Sequence, residues 1–103
     1  MIQFSKQEDE QFNIGCQLSS RIPVGLSIAA IVLTAVDLSD DSSDATAIVL
    51  NSATPTVTII GTEIRFLVRD GTAEHKYEIT AEVTLTPGTP SPLIVFTLIM
   101  NVT

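Results

Sequence analysis

Cys16 and His75 are the only thiol and the only imidazole in this 103-residue chain, and they are the side chains best suited to nucleophilic chemistry. A cysteine nucleophile needs a base within hydrogen-bond reach and a third group to orient that base. Cys16 falls midway along a predicted strand, on an apolar face with Phe12 and Ile14. It reads as a small core residue. His75 falls in a loop between Glu74 and Lys76 and reads as a solvated histidine. A second chemical possibility is the acidic loop DLSDDSSD, with Asp37, Asp40, Asp41 and Asp44 as weak calcium candidates. Calcium takes about six to eight oxygens, which a loop can wrap around one ion. This spacing matches no EF-hand, and Ser42 and Ser43 would be weak ligands, so the loop reads as solvated. Glu8-Asp9-Glu10 reads as an exposed lead-in to the first strand. The sequence has no glycine-rich phosphate loop, CxxC, HExxH or GxSxG. Its aromatic residues, four Phe and one Tyr, are too few for a sugar platform. The expectation is a protein that is not an enzyme and uses no metal or cofactor.

Charge narrows the partners. Twelve acidic residues against five basic ones give a net charge of −7. Such a chain repels phosphate backbones and anionic lipid, so neither nucleic acid nor membrane is expected as a partner. A single cysteine excludes an intrachain disulfide and leans towards intracellular synthesis. The opening MIQFSKQEDEQF is polar and acidic, unlike a signal peptide. The longest apolar run, residues 24–36, falls short of the roughly 20 residues that span a bilayer.

The elements that would position these residues are strands. Alternation marks residues 11–18, 26–36, 56–60, 63–69, 76–86 and 91–103, with a weaker strand over 45–51. Residues 76–86 alternate most cleanly, with Tyr77, Ile79, Ala81, Val83 and Leu85 on one face. Tyr77 leads that inward set and is expected to send its hydroxyl to nearby backbone, as in a tyrosine corner. Turn signals separate the strands: Arg21–Gly25, Gly61-Thr62, Asp70-Gly71-Thr72 and the PGTPSP segment at 87–92. The pattern predicts an all-β protein, an antiparallel immunoglobulin-like β-sandwich of about seven strands. It forms a single domain over residues 1–103, with residues 1–10 as an N-terminal arm.

Two strands have no polar side. In residues 91–103, SPLIVFTLIMNVT, one set is Ile94, Phe96, Leu98, Met100 and Val102, and the other is Leu93, Val95, Thr97, Ile99 and Asn101. In residues 26–36, Ile28, Ala30, Val32 and Val36 face one way and Ile31 and Leu33 the other. The surplus aliphatic residues are Ile31, Leu33, Leu67, Leu93, Val95 and Ile99. At roughly 1.5–3 kcal/mol for each aliphatic side chain removed from water, burying such a set against a neighbour rivals the net stability of a domain, about 5–15 kcal/mol. The expected partner interface is therefore these residues together with Ile2 and Phe4 of the arm.

Three segments, in order, carry a family resemblance. Lys6-Gln7-Glu8-Asp9-Glu10 is similar to a "K-Q-x-x-E" opening, and Arg21-Ile22-Pro23-Val24-Gly25-Leu26-Ser27-Ile28 to an "L-P-x-G-x-x-I" turn. Asp70-Gly71-Thr72-Ala73-Glu74-His75-Lys76-Tyr77-Glu78-Ile79-Thr80 is similar to a "G-G-T-A-G-x-x-Y-x-I-T" segment. Asp70 and Glu74 replace glycines of that pattern, and Ile22 replaces leucine. Together the chain resembles the bacteriophage fibre–tail adaptor family of small immunoglobulin-like virion proteins. The resemblance implies a structural protein of the virion, assembled in the host cytoplasm. It would join a tail or portal-proximal ring to tail fibres and contact other virion proteins and copies of itself. A capsid decoration (cement) protein and a receptor- or carbohydrate-binding module are the alternative readings.

Overall fold

The computed structural model describes residues 2–50, 52, 55–88 and 92–103. Among the described residues eight strands form two sheets. They are β1 (Ile2–Lys6), β2 (Phe12–Gln17), β3 (Ser27–Asp37), β4 (Ser43–Asp44), β5 (Thr58–Ile60), β6 (Glu63–Val68), β7 (Lys76–Thr86) and β8 (Leu93–Val102). The larger sheet has the order β1-β8-β7-β3-β4 and the smaller β2-β6-β5. Every pairing is antiparallel except β1 with β8, which run parallel with Ile2 beside Leu98 and Lys6 beside Val102.

The clean alternation of residues 76–86 becomes the centre of the larger sheet. Tyr77, Ile79, Ala81, Val83 and Leu85 are buried, and their neighbours face outward. β8 supplies Leu98, Met100 and Val102 to the same interior, and β2 and β6 oppose them with Cys16, Ile64, Phe66 and Val68. Leu18, Val49 and Leu50 close the core from the connections.

Three expectations need correction. The N-terminal arm is not free over its whole length, because Ile2–Lys6 is an edge strand of the larger sheet. Its alternation is too short to stand out, and its partner lies at the other end of the sequence. The weak strand over 45–51 is instead a single helical turn, α1 (Thr46–Val49). The Asp44 carboxylate accepts the Thr46 amide at 3.0 Å and the Thr46 hydroxyl at 2.7 Å, which starts the turn despite a β-favouring run. Asn51 lies outside the described residues. The acidic loop also ends early. Asp41 and Ser42 reverse the chain at φ 50° and 56°, and Ser43 and Asp44 then pair with Asp37 and Val36.

Candidate functional site

Three exposed large apolar side chains, Val32, Leu93 and Val95, share the outer face of the larger sheet, while Phe12, Val24, Leu38, Ile48, Ile59 and Ile60 are exposed elsewhere. Rows across β8, β7 and β3 place Leu93 beside Thr84 and Ala30, and Val95 beside Glu82 and Val32. Leu93 is 57% exposed, Val95 48% and Val32 57%. The next row is Thr97, Thr80 and Thr34. A strip of aliphatic side chains flanking Glu82 therefore lies in water at one end of the sheet, with a threonine row beyond it.

The rest of the expected interface divides differently. Leu33 is 2% exposed and belongs to the core, and Ile31 packs against that core. The cause is a β-bulge at Ala29: Ile28 pairs with Leu85 and Ala30 with Thr84, leaving the residue between unpaired. One extra residue exchanges the faces, so Ile31, Leu33 and Ala35 turn inward and Val32 turns out. Ile99 is 8% exposed although its set faces outward. It lies between Gln3 of β1 and Glu78 of β7, whereas Val95 lies beyond the reach of β1. Phe4 faces inward, packs against the core and meets Phe12 edge-on with centroids 6.2 Å apart. Leu67 is half-buried on the other sheet, beside Asn13. For Ile2 only the backbone pairing with Leu98 is described.

The short reach of β1 also leaves an edge. Its described pairing with β8 covers Leu98–Val102, so among the described residues Leu93–Thr97 has a strand neighbour on the β7 side only. Next to this edge a groove of about 420 Å³ opens between β8 and β2, lined by Cys16, Leu18, Arg21 and Phe96 among others. Arg21 Nη2 lies 3.5 Å from the carbonyl oxygen of Val95. Arg21 and Val32 escape sequence reading: one sits in a turn, and the other needs the bulge to be known.

The catalytic candidates are not brought together. Cys16 is buried in the smaller sheet, where desolvation and then the Glu63 carboxylate push its thiol pKa up. That is the reverse of an activated nucleophile. His75 does lie in the loop before β7 and is partly exposed, but it is not free: its Nδ1 meets Asp37 Oδ2 at 2.8 Å, and its ring stacks on Tyr77. Asp37 is not solvated. It continues the inward register of Leu33 and Ala35, is 7% exposed, and accepts the Ser39 amide at 2.9 Å. Asp40 accepts the Ser43 hydroxyl at 3.1 Å, and Asp44 is held by Thr46. Among the described residues no group of three or more His, Cys, Asp or Glu side chains is disposed to hold a metal.

A buried lysine was also missed. Lys6 lies on the inward face with Phe4, and its ammonium donates to the carbonyls of Gln7, Glu8 and Asp70. Burial lowers its pKa, against the opposing pull of Asp70 and of Glu10, Asp9 and Glu8. This clamp ties the β1–β2 turn to the β6–β7 connection, where the Glu8 carboxylate also accepts the Ala73 amide at 3.3 Å. Pairing across β3, β4 and β7 brings the acidic loop to the same end. Glu8, Asp9, Glu10, Asp37, Asp40, Asp41, Asp44, Asp70 and Glu74 thus share one end of the 42 Å long molecule, opposite the Leu93 end. No family model, curated protein or solved structure matches this chain.

Proposed function

We propose that this chain is a non-enzymatic structural subunit of a bacteriophage particle, an adaptor of immunoglobulin-like fold between a tail or portal-proximal ring and tail fibres. The fold half of this reading is supported by sheet order. The sequence β2-β6-β5 corresponds to strands B, E and D of an immunoglobulin sandwich, and β8-β7-β3 to G, F and C. Tyr77 opens the strand equivalent to F, and its hydroxyl accepts the Thr72 amide at 2.8 Å, the geometry of a tyrosine corner. The family half is supported at the two departures from the glycine pattern. Asp70 and Glu74 both adopt the left-handed conformation that glycine favours, at φ 49° and 68°.

The observation that carries an assembly role is the exposed strip of Val32, Leu93 and Val95 beside an open strand edge. An apolar, unpaired edge on an isolated domain is an aggregation hazard, which a neighbouring subunit removes. The charge distribution adds direction: the acids gather at the opposite end, so a partner that meets the Leu93 end avoids them. Labelling the chain on purified particles and reconstructing them tests the reading. Density at the neck or tail is the expected result. Density at capsomer centres would instead make it a decoration protein, and absence from particles would overturn the virion role.

A further inference from the structure

We propose that the uncovered half of β8 receives an extended segment of a partner protein as an added strand, apolar at alternate positions and bearing one carboxylate opposite Arg21. This rests on the assembly reading above and gives it a mode of contact.

The hydrogen-bonding direction of β8 is fixed at both ends. Leu85 donates its amide to the Pro92 carbonyl at 2.8 Å, and Val102 donates to the His75 carbonyl at 3.0 Å. Antiparallel pairing alternates, so even-numbered residues of β8 direct their peptide groups at β7 and odd-numbered ones direct them away. The amides of Leu93, Val95 and Thr97 therefore point out of the sheet edge, past the start of β1 at Leu98. An extended peptide can satisfy them by joining the sheet, the mode in which main-chain bonds give affinity and alternate side chains give specificity. Its inward side chains would enter the groove beside Phe96, Cys16 and Leu18, and its outward ones would lie against Leu93 and Val95.

Charge selects the occupant. Arg21 is the one charged residue among the described residues lining the groove. Its guanidinium rests on the Val95 carbonyl, which an incoming amide would take, freeing the cation for a carboxylate. A second copy of this chain fits less well. Its own exposed edge, Leu93–Thr97, carries no acid, and each copy brings a net charge of −7.

The test uses the full chain and the synthetic peptide acetyl-TVTVEVT-amide, with acetyl-TVTVKVT-amide as its charge-reversed control. Hydrogen exchange at the amides of Leu93, Val95 and Thr97 is expected to slow by at least about tenfold with the Glu peptide, and Lys-peptide affinity to be about tenfold lower. Arg21→Ala should erase that preference. Val95→Pro removes an outward amide without touching the β7 ladder, so it should fold and lose the peptide response. Should it fail to fold, Leu93→Pro at the strand's first residue asks the same question. No slowing at these amides, or equal response to both peptides, overturns the proposal. So does a peptide-free dimer in which the same amides are already protected, because a second copy is then the occupant. Particle labelling is independent of all this: a chain found on particles but blind to the peptide sinks only the strand-addition proposal, and the reverse result sinks only the virion role.

Discussion

Gly71 and Tyr77 are packed so closely that neither can change alone. A β-carbon on Gly71 would stand 3.1 Å from Tyr77 Cε2 and 2.9 Å from Val102 Cγ2, and φ at Gly71 is +97°. The ring so held directs its hydroxyl to the Thr72 amide. Gly71→Ala is expected to lose about 1–3 kcal/mol through clash and backbone strain together. Tyr77→Phe keeps the ring but leaves the Thr72 amide without its acceptor, costing about 1–3 kcal/mol. Urea denaturation of the two variants and their double mutant checks this, with sub-additive losses expected because the residues touch.

Glu74 and Gly71 make opposite predictions from the same loop. Glu74 is held at φ 68° with its side chain exposed, so its β-carbon contributes strain without packing. Glu74→Gly should stabilise the fold by up to about 1 kcal/mol, the relieved left-handed strain less the added chain entropy. A lower denaturation midpoint than wild type would contradict it.

Lys6 fastens the first strand. Its ammonium satisfies three carbonyls that lie on two connections, and its folded pKa is lowered by burial. Lys6→Met removes the charge but leaves the Glu8 and Asp70 carbonyls without their donor, while that of Gln7 keeps the Glu10 amide, so a loss of about 1.5–3 kcal/mol is expected. The sign of the pH effect follows from the lowered pKa. Burying the charged form costs stability below the folded pKa, and that cost fades as pH rises towards the ordinary lysine value. Lys6→Met should therefore flatten the stability gained between neutral and alkaline pH, which denaturation across that range measures.

The strands most legible in the sequence are those with no interruption. Residues 76–86 alternate without a bulge, and their bounds as β7 and inward set are as the pattern predicts. β3 misleads because Ala29 and Ala30 are both small, and no side chain announces which of them is extra; the bulge between them decides every face downstream. That single residue moves Leu33 into the core and Val32 onto the surface. The two-sided apolarity of β8 was visible, but its meaning was split by β1. Where β1 lies alongside, Ile99 is covered; where it does not, Val95 is open. A parallel pairing between the two ends of the chain leaves no local trace in alternation. The pairing of His75 with Asp37 was hidden by the bulge instead, because the inward placement of Asp37 depends on it.

Thr46 ties α1 to β3 through one hydroxyl. That oxygen accepts the Ala35 amide at 3.0 Å, and its single hydrogen has two acceptors, Asp44 Oδ1 at 2.7 Å and the Ala35 carbonyl at 3.3 Å. The Thr46 amide and then this hydroxyl hold the Asp44 pKa below the ordinary carboxylate value. A depressed folded pKa contributes stability above the unfolded value, lost as pH falls through the folded one. Thr46→Val should move the Asp44 titration up towards the ordinary value of about 3.9, read from its carboxyl chemical shift. It should also cost about 1–3 kcal/mol by stranding the buried Ala35 amide.

Leu93, Leu33 and Ile99 separate assembly from folding. An acid at Leu33 would place a charge without a partner in the core, so Leu33→Asp should abolish folding. Ile99→Asp is expected to destabilise as well, because β1 and β7 cover that position within one chain. Leu93 stands 57% exposed at the strand's beginning, so Leu93→Asp should shift stability by no more than about 0.5 kcal/mol. If the Leu93 end meets another subunit, that variant folds yet is depleted from assembled particles, since a buried uncompensated carboxylate disfavours the contact. Circular dichroism melts of the three variants, beside their abundance in purified particles, give the comparison. Leu93→Asp incorporated at wild-type levels would exclude this end from the interface, whereas loss of fold in Leu93→Asp would show that its side chain serves the domain's own interior.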